Sequence, residues 1–222
     1  MDLSKMLRID EYKNLSSELR AIYLHFHVGE STDLTPDFIL QAIEFENAPL
    51  SKWYLIRAIG ILKIEFAIDY LIDTFKETDV KLDKSSLHLI AAWSLGAIGE
   101  NALDPLVKEY NRTNSEDIKK CIVDSLGEIG SPKAIPILCK AFMEESHNVK
   151  LWSSLSLSKI GNQAIEPIKK LFSRATSSGD RLMLIDAIIK IDSPRSVQFL
   201  REILEGCSNK DKILIRAILN QQ

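Results

Sequence analysis

Four histidines, three cysteines and an evenly spaced set of lysines and arginines are the residues of this chain best suited to chemistry. His25, His27, His88 and His147 could ligate a metal, but none sits in an HExxH pair and none has a cysteine partner. His25 and His27 are two apart on an expected helix, which points them in different directions. Cys121, Cys139 and Cys207 are odd in number and widely separated, with no CxxC pair. They read as small buried hydrophobes in a reducing compartment. No glycine-rich phosphate loop and no nucleophile signature is visible. We therefore expect no catalytic residue, no metal and no cofactor. What remains is a ladder: Lys119, Lys150, Arg181 and Lys212 recur every 31 residues, with His88 and Lys52 as earlier rungs.

The ladder is one track of a longer repeat. The segments at 94–110, 125–142, 156–172 and 187–204 fall into register, and Gly99, Gly130, Gly161 and Asp192 hold one position in them. An earlier copy at 58–75 fits after a longer loop around Glu77–Lys84, and a half-copy follows at 210–220. A second mark has the same period: Ser115, Ser146, Ser177 and Ser208 each precede an amphipathic run. Serine there is the expected N-cap, and glycine can take the left-handed conformation that ends a helix. Apolar residues within each unit have helical spacing, as in Ile118, Ile122, Val123, Leu126 and Ile129.

These signals predict helical pairs at 36–46/50–62, 65–77/85–98, 101–112/115–129, 132–144/147–160, 163–175/178–191 and 194–205/208–220. A further helix is expected near 11–27. One pair cannot cover its own apolar face, so neighbours must stack into a continuous core. Four residues before the repeat glycine (Gly60, Gly96, Gly127 and their equivalents) stand Ile56, Ala92, Val123, Ser154 and Ile185. The terminal copy has Arg216 there, which reads as a C-terminal cap. The expected organisation is an N-terminal capping helix and loop over 1–35 and one continuous repeat domain over 36–222.

Ser94–Leu106 carries a motif of the form A/S-L-G-x-I-G followed by x-x-A-[IL]-x-P-[IL], and Ser125–Ile137 and Ser156–Ile168 carry close variants of it. It resembles HEAT repeats, in particular the short bacterial type named after phycobilisome lyases. The resemblance covers roughly residues 50–220. It implies an all-α fold, a right-handed α-solenoid of about six HEAT-like hairpins, with the second helix of each pair lining a concave face. It also implies that the ladder residues Lys52, His88, Lys119, Lys150, Arg181 and Lys212 bond acidic groups in the turn of the adjacent repeat. The alternative is direct contact with an acidic partner or nucleic acid.

Two further tracks share one face of the second helices, because they lie four residues apart. One holds Trp53, Leu89, Lys120, Leu151 and Leu182, and the other Arg57, Trp93, Asp124, Leu155 and Asp186. Apolar residues on a face expected to be wet mark a recognition patch, and Trp and Arg are common interface anchors. The competing reading buries them inside a tightly curved solenoid. Trp152, one position further round, reads as core. Acidic residues gather on the first helices (Asp69, Asp104, Glu144, Glu166, Glu202), whereas most Lys and Arg fall on the second.

With a net charge of -3 and a pI near 5.9, the chain lacks the basic excess of a dedicated duplex-DNA binder. No apolar run approaches the ~20 residues of a membrane span, and no secretory signal is visible, so a cytoplasmic protein is expected. The leading expectation is a non-catalytic scaffold that grips another protein, in a 1:1 complex, in its concave groove. One version is an immunity-type protein that neutralises a toxin enzyme. Resemblance to phycobilisome lyases implies a second reading, handling of a bilin as a lyase or chaperone. A third is a nucleic-acid binder; HEAT-like DNA glycosylases would need aromatics and a carboxylate, for which Trp53, Trp93 and Asp124 are the candidates.

Overall fold

The computed structural model describes residues 49–76 and 87–204, together with 212, 215 and 216. The expected helices at 11–27 and 36–46, His25, His27, Cys207, Ser208 and most of the expected 208–220 helix lie outside the described residues. Every regular element among the described residues is helical. The chain divides into two compact units, 1–102 and 103–222.

In the first unit α1 (Pro49–Ile61) packs against α3 (Leu87–Ile98), and the short α2 (Ile68–Asp73) also packs on α3. The second unit is a stack of helical hairpins: α4 (Leu103–Arg112) with α5 (Glu116–Ile129), α6 (Ile135–Glu144) with α7 (His147–Ile160), and α8 (Ile165–Arg174) with α9 (Ser178–Ile191). The last helix, α10 (Pro194–Leu204), packs on α9 and α8. The second helices α5, α7 and α9 lie side by side in one layer, and α6, α8 and α10 form the other.

Local signals explain the hairpin boundaries. Ser115 caps α5 by accepting from the Ile118 N–H at 3.4 Å, and Ser177 caps α9 by accepting from Asp180 at 3.0 Å. Ser146 occupies the same place before α7, yet its hydroxyl makes no capping bond. The links from each second helix to the next first helix pass through Gly99, Gly130, Gly161 and Asp192, with φ of 91°, 67°, 80° and 45°. Glycine meets that demand without a Cβ penalty, and Asp is among the few other residues that tolerate it.

The first helices start later than their apolar period indicates. Residues 65–67, 100–102, 132–134 and 161–164 form 3-10 turns, each ending on a buried alanine: Ala67, Ala102, Ala134 and Ala164. In three of the four, a proline follows two or three residues after that alanine (Pro105, Pro136, Pro167). Proline has no N–H to donate to the carbonyl four residues back, so the tighter turn takes over the entry.

Two contacts set the spacing of the second helices. A Cβ built on Gly60 would lie 2.7 Å from the Ser94 Cα, and one on Gly127 would lie 2.6 Å from the Ser156 Oγ and 2.8 Å from its Cα. Across each close approach the serine donates to a backbone carbonyl one turn before the glycine. Ser94 bonds Ile56 at 2.8 Å, and Ser156 bonds Val123 at 2.7 Å, all in the buried core. Between α7 and α9 the pattern changes: Ser158 replaces the glycine, Ala187 replaces the serine, and Ser158 donates to Leu155 of its own helix at 2.6 Å. Ile56, Ala92, Val123, Ser154 and Ile185 are buried, whereas Arg216 is exposed.

Overpacking of this kind costs about 1–3 kcal/mol. Gly127→Ala should destabilise the protein by that amount, and Ser156→Ala by about 1 kcal/mol through its lost hydrogen bond. Because the first substitution already breaks that bond, the double variant should lose less than the two single losses combined, measured by urea unfolding.

Candidate partner-binding surface

On the first unit the site begins with α1 and α3. Trp53 is half-buried, meets the buried Tyr54 edge-on at 5.2 Å between ring centroids, and carries the Arg57 guanidinium 5.5 Å above its own ring. Leu89 and Trp93, on α3, are 50% and 40% exposed. A chain that leaves an indole and a leucine partly in water forgoes part of the roughly 1.5–3 kcal/mol that full burial of a large apolar side chain supplies.

On the second unit the same tracks run over α5, α7 and α9. Leu151 and Leu182 are 36% and 39% exposed, and Leu155, one turn on from Leu151, is half-buried. The charged members are tied to neighbours. Lys120 pairs with Asp117 at 3.1 Å, and Asp186 pairs with Lys190 one turn on. Asp124 is buried and receives a 2.7 Å hydrogen bond from Lys159, which also reaches Glu128 at 2.6 Å. Burial pushes the Asp124 carboxyl above its usual range, although Lys159 opposes the shift. Such a carboxylate is a neutralised element of the wall between α5 and α7. Trp152, expected in the core, is half-buried.

The basic ladder has one geometry, repeated. Lys119 lies 5.4 Å above the Tyr110 ring and pairs with Glu145 of the next hairpin at 2.6 Å. Lys150 lies 5.9 Å above Phe142 and pairs with Asp180 of the next hairpin at 3.0 Å. Arg181 lies 5.8 Å above Phe172 and donates to the Ala175 carbonyl at 3.1 Å. In the first unit the His88 ring meets Phe75 edge-on at 6.3 Å. Lys52 and Lys212 are half-buried on their helices. Lys119, Lys150 and Arg181 are thus held by aromatic rings and by acceptors of the protein itself.

Two thiols are described, and neither is primed for reaction. Burial pushes Cys121 up to about 12 and raises Cys139 as well. Among the described residues no three His, Cys, Asp or Glu side chains converge as a metal site requires, and no helix is long and apolar enough to cross a membrane.

Residues 83–158 match the family model for HEAT repeats. Among solved structures, the chain is similar to one in the complex of CpcE and CpcF of phycocyanin lyase from Nostoc sp. PCC7120, with 18% identity, 84% of this chain and 76% of that chain covered, and a TM-score of 0.47. No curated protein matches the sequence.

Within these hairpins, sequence reasoning expected acidic partners for the ladder, as Lys119 and Lys150 have, but missed its aromatic seats. Tyr110, Phe142 and Phe172 recur eight or nine residues before their cations, a track that could have been read beside the ladder. Lys159, which holds both Asp124 and Glu128, gave no such signal, because its reach depends on the offset between two helices.

Glu145 supplies the pH test. Burial alone would raise its carboxyl, but hydrogen bonds from Lys119 and Tyr110 outweigh it and hold the group below its ordinary value. A depressed folded-state value stabilises above the unfolded one and is lost as pH falls through the folded one. Glu145→Gln should therefore lower the melting temperature at pH 7, with the gap from wild type closing as pH falls below about 4.5, the carboxyl's ordinary value. A gap independent of pH would remove the ion pair from the account.

Proposed function

We propose that this protein is a non-catalytic scaffold that binds a partner protein through the free face of its second helices. The observation that carries the proposal is the exposure, at one register position in both units, of Leu89, Leu151 and Leu182, with Trp93 one turn on from Leu89. Side chains of this kind gain most from a protein surface that excludes water around them. Described residues with chemical potential are engaged or unreactive, which favours binding over turnover: the Asp124 carboxylate is tied to Lys159, and burial raises the thiols of Cys121 and Cys139. Inhibition of a toxin enzyme is one form such binding would take, and it requires that one equivalent of the protein abolish that enzyme's activity.

Trp93→Ala should weaken a complex with a partner recovered from native lysate by about 2 kcal/mol, roughly thirtyfold, with the melting temperature unchanged. Trp53→Ala, which removes a ring packed on Tyr54, should lower affinity and melting temperature together. If Trp93→Ala lowers the melting temperature and leaves affinity intact, the indole is a packing residue and the proposal fails.

A further inference from the structure

We infer that the partner segment docking on the first unit is acidic as well as apolar, a stretch of protein with carboxylates beside large hydrophobic side chains. The inference rests on the docking reading above and adds the sign of the partner's charge. The helices that form this face, PLSKWYLIRAIGI and LHLIAAWSLGAI, contain no Asp or Glu, yet they carry Lys52, Arg57 and His88. The second unit is the contrast. Its second helices carry both signs, and Lys159 with Asp124 and Glu128, Lys190 with Asp186, and Lys120 with Asp117 neutralise one another.

Arg57 has no carboxylate partner among the described residues. Its guanidinium lies over the Trp53 ring instead, and it is half-exposed. Stacking covers one face of a guanidinium while its in-plane N–H donors stay free for a bidentate carboxylate. Arg57 and Trp93 hold equivalent positions of successive second helices and flank the Gly60–Ser94 contact, so cation and exposed indole belong to one patch. A carboxylate on Arg57 with an apolar side chain on Trp93 and Leu89 satisfies both. A phosphate backbone would find few cationic side chains on these two helices, on a chain of net charge -3, and has no apolar group to cover Leu89.

The test is selection of random displayed peptides against the full-length protein, followed by affinity measurement on synthetic versions. Selected peptides should carry Asp or Glu beside Leu, Ile, Phe or Trp, and Trp93→Ala should weaken them by about tenfold or more. Arg57→Glu should weaken them at least about tenfold, Arg57→Gln less, and lysine in place of the peptide carboxylates should restore binding to Arg57→Glu. Circular dichroism melting confirms that both Arg57 variants fold. Peptides that need Trp93 but tolerate Arg57→Glu within about twofold overturn the acidic partner and leave the docking face standing. Peptides indifferent to both residues overturn the docking reading and this inference with it. A single-stranded oligonucleotide that binds through Arg57 more tightly than any selected peptide overturns a protein occupant.

Discussion

The structure depends on how closely consecutive second helices approach each other. At Gly60 against Ser94, and again at Gly127 against Ser156, there is no room for a single methyl group, and the serine hydroxyl crosses the gap to a backbone carbonyl. Helices this close bury the residues that face one another almost completely, as Ile56, Val123 and Ser154 are. Side chains at the flanks of the contact, one and three residues away, border the free face: Trp93 is exposed, Arg57 and Leu155 are half-buried, and Asp124 is buried under its bond from Lys159. Trp93 and Leu155 stand beside the serines, and Arg57 and Asp124 stand one turn before the glycines. Packing and display are two consequences of one geometric constraint.

Charge divides the two units. In the second, cations and carboxylates of adjacent helices find each other, so the free face is electrically closed around Leu151 and Leu182. In the first, α1 and α3 contain no Asp or Glu, and Arg57 rests on Trp53. Charges of this kind contribute more to choice of partner and to encounter rate than to affinity, which comes from the buried aromatic and aliphatic contacts.

Much of the fold was legible because its punctuation is backbone chemistry. A left-handed residue every 31 positions marked Gly99, Gly130, Gly161 and Asp192, all four with positive φ. Burial four residues before the repeat glycine followed from helical period. The 3-10 entries were not legible, since Ala102, Ala134 and Ala164 read as ordinary helix formers. Ser94 and Ser156 gave no warning that they bridge two helices, because a serine in an apolar run carries no mark of its partner. On the candidate face the positions were readable from register. The pairings of Lys159, and the aromatic seats of Lys119, Lys150 and Arg181, depend on offsets between helices that no single repeat encodes.

The central claim is that partners dock on the second-helix face, and photo-crosslinking in living cells tests it most directly. A photoreactive phenylalanine analogue is placed singly at Leu89 or Leu151 on that face, and at Asp69 or Glu166, which are exposed on the first helices. The account predicts a discrete covalent adduct with another protein from Leu89 and Leu151 and none from the other two positions. Adducts arising from Asp69 or Glu166, with Leu89 and Leu151 silent, would contradict it.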